Sequence, residues 1–408
     1  MAEDSQAVPQ TRKTRIVCIS DTHNQTPKLP KGDVLIHAGD LTNQGSYSEL
    51  KKTINWIEKT DFEAKIVIAG NHDITLDPSL FAQHGTLWRW PAPQDPHECR
   101  KLLTGSSSIT YLENQAATVH LRSPQGPRTC FKVFGSPCTP KMKNHWAFQY
   151  AAEDAPKIWD AIPLDTDIVI THTPPKGHVD KAEEDDRSGC AALTQALHRV
   201  RPMMSVCGHI HGGRGVERVR WGSRTCCTPG DCNGCLVEAV ESWRDPGVGS
   251  NKQSLVNCSS RGGRVLDNVG CLAGQAKVDG LAAGGNGGQA GETGGGGGRL
   301  VGGAVDSTSH THLCPPGGVS SNKEALFVDM LGGAISVNDD AALTTAAATT
   351  MADNDVGVAA TLDVDGLEWM AARRETVIIN AAYMGPRRRD VPKTFNKPIV
   401  VDVDLPVW

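Results

Sequence analysis

Aromatic residues are scarce, at 5% of 408 residues, although 39% of the chain is hydrophobic. With 43 glycines alongside them, part of the chain is expected to build no core. No apolar stretch approaches the roughly 20 residues that a bilayer-spanning helix needs, so no membrane insertion is expected. An excess of positive charge is missing too. The formal balance is −5, which leaves no electrostatic footprint for general nucleic-acid binding, and the short run Arg387-Arg388-Arg389 reads as solvated. Met1 to Arg15 holds no apolar signal segment and the thirteen cysteines are odd in number, so a reduced, cytoplasmic setting is expected rather than a disulfide framework.

What the chain does have is a set of short, mostly β-branched apolar runs: Ile16 to Ile19, Val34 to Ile36, Ile66 to Ile68, Ile168 to Ile170 and Met204 to Cys207. Such runs suit buried strands. Each leads straight into polar residues of metal-ligand type: Asp21-x-His23, Gly39-Asp40, Gly70-Asn71-His72-Asp73, His172 and Gly208-His209-Ile210-His211. In an open α/β sheet the carboxyl ends of the strands line one edge, where ligands bind, so residues far apart in sequence can converge on one cleft. Any one of these motifs alone is weak, because turns after strands favour Asp, Asn and Gly for backbone reasons. Five in order are specific.

The converging donors are oxygen and imidazole nitrogen without thiolate, a set suited to manganese, iron, zinc or magnesium. A carboxylate can hold two cations at once, and Asp40 is the expected bridge. Asp21, His23 and His211 complete one site, and Asn71, His172 and His209 the other. Two such ions can clamp a phosphoryl group and activate a bridging hydroxide. His72 is left for chemistry. It can donate a proton to the departing oxygen or neutralise charge on the phosphoryl group, with Asn43 or Asp73 as the partner that orients it.

The five blocks resemble those of the calcineurin-like metallophosphoesterase superfamily. Phe134-Gly135-Ser136-Pro137, Thr171 to Pro175 and Gly189-Cys190 look like its subgroup of metallophosphoesterase-domain-containing, brain metallophosphoesterase-like proteins. The resemblance covers residues 14 to about 220 and resumes near Glu375. It implies an α/β fold of four layers, two mixed sheets face to face with helices outside, and a dinuclear centre. The subgroup is associated with hydrolysis of cyclic-nucleotide phosphodiesters. One position departs: many members of the superfamily carry an acidic residue where this chain has Asn43.

Weaker signals surround the motifs. His37 lies inside the second run and reads as a core or supporting histidine. His178, in a polar loop, and Arg214 and Arg218, just after Gly-His-Ile-His, are candidate substrate contacts, with exposed loop and charged-strand roles as the alternatives. Cys226, Cys227, Cys232 and Cys235 lack paired Cys-x2-Cys spacing and read as ordinary thiols rather than a zinc site. His310 and His312 offer only weak metal affinity.

Tyr47 to Lys59, with Leu50, Ile54 and Ile57 on one face, reads as an amphipathic crossover helix, and Glu153 to Trp159 and Ala191 to Val200 as further helices. Residues 14–221 and 374–408 are expected to form one domain, after a flexible 1–13. Between its parts, 222–373 reads as a mostly disordered insertion; fourteen of the thirty residues from Gly274 to Gly303 are glycine. The strand-like segments Glu375 to Ala382 and Lys397 to Trp408 then close the fold. The expected function is metal-dependent hydrolysis of a small-molecule phosphate ester, foremost a cyclic-nucleotide phosphodiester. A phosphomonoesterase, a protein phosphatase or a catalytically weak binding scaffold is the alternative.

Overall fold

The five apolar runs all become strands, buried along their length. The computed structural model describes residues 10–142, 145–182, 187–222, 236–268, 373–386 and 392–408. In chain order its strands are β1 (Thr11–Ile19), β2 (Val34–Ala38), β3 (Ala64–Ile68), β4 (Thr110–Tyr111), β5 (Gln115–His120), β6 (Cys130–Ser136), β7 (Thr139–Pro140), β8 (Gln149–Tyr150), β9 (Ile168–Thr171), β10 (Met204–Cys207), β11 (Gly215–Trp221), β12 (Val237–Ser242), β13 (Ser254–Cys258), β14 (Glu375–Asn380) and β15 (Ile399–Pro406). Helices are α1 (Tyr47–Glu58), α2 (Pro78–His84), α3 (Pro96–Thr104), α4 (Ala155–Asp160) and α5 (Ala191–Val200). These described residues fall within one unit, Met1–Ala282 with Thr361–Trp408.

One sheet runs β13-β15-β1-β2-β3-β4, the other β12-β11-β14-β10-β9-β6-β5, and β7 pairs with β8. Alternation of side chains along each strand builds three cores from the two sheets. Ile16, Cys18, Ile36 and Ile66 of the first sheet meet Val133, Ile170, Val206 and Val377 of the second in the layer between them. Val17, Ile19 and Leu35 point the other way, against Leu50, Ile54 and Ile57 of α1 and Leu103 of α3. On the far side, Val169, Cys207 and Ile378 pack under Trp159 of α4 and Leu193 and Leu197 of α5. That is a four-layer α/β sandwich.

Local chemistry agrees with this placement. α1 starts at a reciprocal cap in which Ser46 accepts from the Glu49 amide and the Glu49 carboxylate accepts from the Ser46 amide. Its buried residues, Leu50, Thr53, Ile54 and Ile57, form the expected stripe. α5 spans the expected Ala191 to Val200 and ends on Arg201 in the left-handed conformation.

Two boundaries differ from the sequence reading. β1 begins at Thr11 rather than near 14, because its first residues pair antiparallel with β15, Thr11 opposite Pro406. The segment 236–268, expected within a disordered insertion, carries β12 and β13, which extend one edge of each sheet. Hydrogen bonding to an existing edge orders strands whose own composition is unremarkable. The remainder, 269–372, with the glycine-rich stretch, His310 and His312, lies outside the described residues. So do Cys226, Cys227, Cys232, Cys235 and Arg387 to Arg389.

β14 enters the second sheet between β10 and β11, and its first residue anchors it. The Glu375 carboxylate accepts from Arg218, Arg220 at 3.3 Å and the Asp267 amide at 2.7 Å. Burial opposes its charge, yet the Arg218 hydrogen bond holds its pKa below the ordinary 4.5. A depressed acid contributes stability above its unfolded pKa and loses it as pH falls through the folded value. Glu375→Gln is therefore expected to cost about 2 kcal/mol at pH 7, a gap that closes below pH 4.5. Urea melts at both pH values check this, and an unchanged gap at acid pH would locate the effect in geometry rather than charge.

Candidate metal centre

Each motif residue follows a strand end, and the backbone there is unusual. Asp21, His23, Asp40 and His209 have φ of 52°, 42°, 52° and 65°, in the left-handed region that non-glycine residues avoid. The turn conformation aims their side chains back across the carboxyl ends of β1, β2 and β10. Neighbouring glycines permit the close approach: a Cβ on Gly70 would sit 2.4 Å from Asp40 Oδ1, and one on Gly208 2.2 Å from Asp21 Oδ2.

The donors converge. His211 Nε2 lies 3.2 Å from Asp21 Oδ1 and 3.4 Å from His23 Nε2. On the other side, Asn71 Oδ1 lies 2.8 Å from His209 Nδ1 and 3.1 Å from His172 Nε2. Asp40 stands between the groups, with Oδ1 3.2 Å from His172 Nε2 and Oδ2 3.7 Å from His23 Nε2. Three sets of ligating atoms lie within 4.8 Å of one another: Asp21, His23 and His211; His23, Asp40 and His72; and Asp21, Asp40 and His172. Two imidazole nitrogens facing each other beside two buried carboxylates form a donor set that fits divalent cations.

Supporting contacts orient the rings. His172 Nδ1 meets the Ala38 carbonyl at 2.8 Å and His23 Nδ1 that of Thr42 at 3.1 Å, which leaves each Nε2 free toward the cluster. Charges follow position. Burial alone would raise Asp21, but the hydrogen bond from His211 brings it down to about 2. Burial lowers His23 to about 4 and His209 to about 3, so both present neutral lone pairs. Burial would also lower His172, yet the Asp40 carboxylate lifts it to about 9.

Comparison with known sequences agrees with the geometry. The profile described as calcineurin-like phosphoesterase matches residues 14–213. A UPF0046 protein of Caenorhabditis elegans is 33% identical over 221 residues, 54% of this chain and 70% of that protein. The chain belongs to the calcineurin-like phosphoesterase family. Metallophosphoesterase domain-containing protein 1 of Homo sapiens is 38% identical over 215 residues, 50% of this chain. A probable rhamnogalacturonate lyase C of Emericella nidulans is 45% identical over 209 residues. The chain spans 62% of the length of the human protein and 18% of that of the Emericella protein.

Within this phosphoesterase domain, five expected roles need correction. His72 is oriented by Asn43, but through its backbone: Nδ1 meets the Asn43 carbonyl at 2.8 Å, while the Asn43 amide donates to Glu49. The departure from an acidic residue there leaves the orienting contact intact, since a carbonyl accepts from Nδ1 whichever side chain the residue bears. Asp73 does not meet the His72 ring. Its carboxylate accepts from the Leu41, Thr42 and Gly70 amides and the Thr42 hydroxyl, tying the turn after β2 to the turn after β3. Burial and the charge of Asp40 raise its pKa to about 7.

His178 neither overhangs the cleft nor sits in solvent; it is buried, with Nδ1 2.9 Å from Glu217. Arg214 is committed to Asp245 at 2.8 Å and to the Lys397 carbonyl at 2.9 Å, which leaves it no freedom to meet a phosphate. Arg218 is likewise taken up by Glu375. His37 is fully buried, with Nε2 2.9 Å from the Thr22 hydroxyl, as a core histidine.

Two contributors were not legible in the motifs. The Asn380 amide, at the end of β14, donates to the Val179 carbonyl at 3.0 Å and the Ile210 carbonyl at 2.8 Å, bracing the Gly-His-Ile-His turn. The Gly385 carbonyl lies 3.4 Å from His211 Nδ1. Both come from beyond residue 373, and a polar residue ending the buried run Thr376 to Ile379 was the one signal for the first.

Proposed function

We propose that this chain is a metal-dependent hydrolase of phosphate esters, acting on phosphodiesters of the cyclic-nucleotide class. Asp21, His23 and His211 hold one ion, Asn71, His172 and His209 the other, and Asp40 is shared. The observation that carries the reading is the position of Asp40, whose two carboxylate oxygens face different ligand groups. Bound ions supply charge neutralisation for an in-line displacement and lower the pKa of coordinated water.

His72 supplies the proton. Its Nδ1 donates to the Asn43 carbonyl, which fixes the ring plane and leaves Nε2 for the departing oxygen. Its ring packs edge-on against His23, with centroids 4.7 Å apart, so it borders the metal cluster while remaining partly exposed to solvent. Having given up its Nε2 proton, the ring takes one back from solvent water, to which it is partly exposed.

His72→Ala is expected to leave two ions per chain and to slow turnover by about a hundredfold or more. Metal analysis beside steady-state kinetics checks this; loss of an ion in that variant would make His72 a ligand. The wider test loads the protein with manganese, zinc, iron or magnesium. Bis-p-nitrophenyl phosphate, cyclic nucleotides, nucleoside monophosphates and phosphopeptides are then screened. Turnover of diesters, abolished by chelation, supports the reading. Protein that binds two ions and cleaves none of these would be a binding scaffold.

Among the described residues no helix is long and apolar enough to cross a membrane. The described cysteines are free thiols, most of them buried, and the cytosol is the setting we propose.

A further inference from the structure

A chain poor in aromatic residues, with nine tryptophans in all, starts a row of three of them at the proposed proton donor. The Trp146 ring lies 4.2 Å from the His72 ring, centroid to centroid, inclined at 41°. Trp88 follows at 5.2 Å from Trp146, Trp90 lies parallel to Trp88 at 6.3 Å, and Phe81 backs Trp90 at 5.6 Å. The rings thus lead from the metal cluster outward. Trp88 and Trp146 are both partly exposed, and Leu87 beside them is 63% exposed.

The wall is built into the fold. The Ala147 amide donates to the Asn71 carbonyl at 3.1 Å, which ties the residue after Trp146 to the turn that carries a proposed ligand. The Trp90 indole donates to the Gln44 carbonyl at 3.2 Å, one residue from the carbonyl that orients His72. Aromatic faces left partly wet beside a reaction centre, on rigid anchors, mark a surface that expects a flat partner.

We propose that Trp146 and Trp88 form a stacking wall for the nucleobase of a nucleotide ester, on the leaving-group side of the centre. This rests on the phosphoesterase reading and adds what selects the organic half of the ester. A proton donor stands where the leaving oxygen departs, so a ring in contact with His72 borders the leaving group rather than the phosphoryl oxygens. Stacking is tolerant of base identity because every base has a π-face, so the wall selects bases as a class over aliphatic or seryl esters.

The test is calorimetric binding to the metal-loaded full chain, with adenosine 5′-monophosphate, ribose 5-phosphate and inorganic phosphate as probes. The wild-type protein is expected to hold the nucleotide about tenfold tighter than ribose 5-phosphate. Trp146→Leu and Trp88→Leu should each erode that preference while leaving ion content and affinity for the two base-free probes unchanged. Trp146→Phe should keep most of it, which covers the case in which the leucine variant fails to fold. No preference in the wild type, or an equal loss for all three probes in the variants, overturns the wall. Because binding is read without turnover, a protein that shows the preference but cleaves no ester would sink the hydrolase and not the wall.

Discussion

Replacing Asp40 with Ala will leave the protein without either ion and lower phosphodiester turnover by about a thousandfold, the equivalent of about 4 kcal/mol of barrier. The size follows from its position. Asp40 is 2% exposed, faces His172 with one oxygen and His23 with the other, and accepts from the His72 amide at 2.8 Å. One substitution therefore removes a donor from both proposed sites and the anchor that sets the proton donor's backbone. The neighbouring histidines also lose the charge that holds His172 protonated without metal. Metal content by mass spectrometry, beside hydrolysis of bis-p-nitrophenyl phosphate, reads both effects. Retention of one tightly held ion would show that Asp40 serves a single site.

A chain that stops before Glu375 will not fold. It lacks β14, which lies between β10 and β11, and β15, which lies between β13 and β1. With them go Val377, Ile378, Ile379, Ile399, Val400, Val401, Val403 and Leu405, all buried to within 4% of full occlusion. At roughly 1.5 kcal/mol or more for each side chain, the loss is about 12 kcal/mol, comparable with the whole stability of a typical domain. The truncation also removes Asn380 and Gly385, which brace the Gly-His-Ile-His turn. Aggregation, or a non-cooperative melt by circular dichroism, is the expected result. A fragment of residues 1 to 230 that is soluble, melts cooperatively and binds two ions would overturn it.

The Glu375→Gln and truncation effects share a cause: the second sheet is completed by chain that returns after a long detour. That return was readable, because Glu375 to Ala382 and Lys397 to Trp408 keep strand composition. The two strands at 237–242 and 254–258 were not. Val237 to Ser242 is largely exposed, with no buried face for a pattern to reveal, and it is ordered by pairing with β11. Backbone hydrogen bonds to an available edge do not depend on side-chain type, so composition carries no trace of them.

At the centre, the ligand-type residues were visible because each stands directly after a strand, and strand direction alone delivers them to one edge. Their left-handed backbone was not visible at Asp21, His23, Asp40 or His209, since none of the four is itself a glycine. Nor were the assignments of His178, Arg214 and Asp73. Whether a charged side chain meets a substrate or a neighbour depends on which partner lies within reach, and Glu217, Asp245 and the amides of residues 41, 42 and 70 are brought there by chain distant in sequence or by turn geometry.

By itself, then, the sequence determined the ligand-bearing and closing strands, the family and the residues of ligand type, since these depend on local periodicity and on order along the chain. The tertiary structure alone decided which ligand-type groups lie close together, which carbonyl orients His72, and that Trp146 packs against its ring with Trp88 behind it. Those are contacts between segments tens to hundreds of residues apart, and no local pattern encodes a distance.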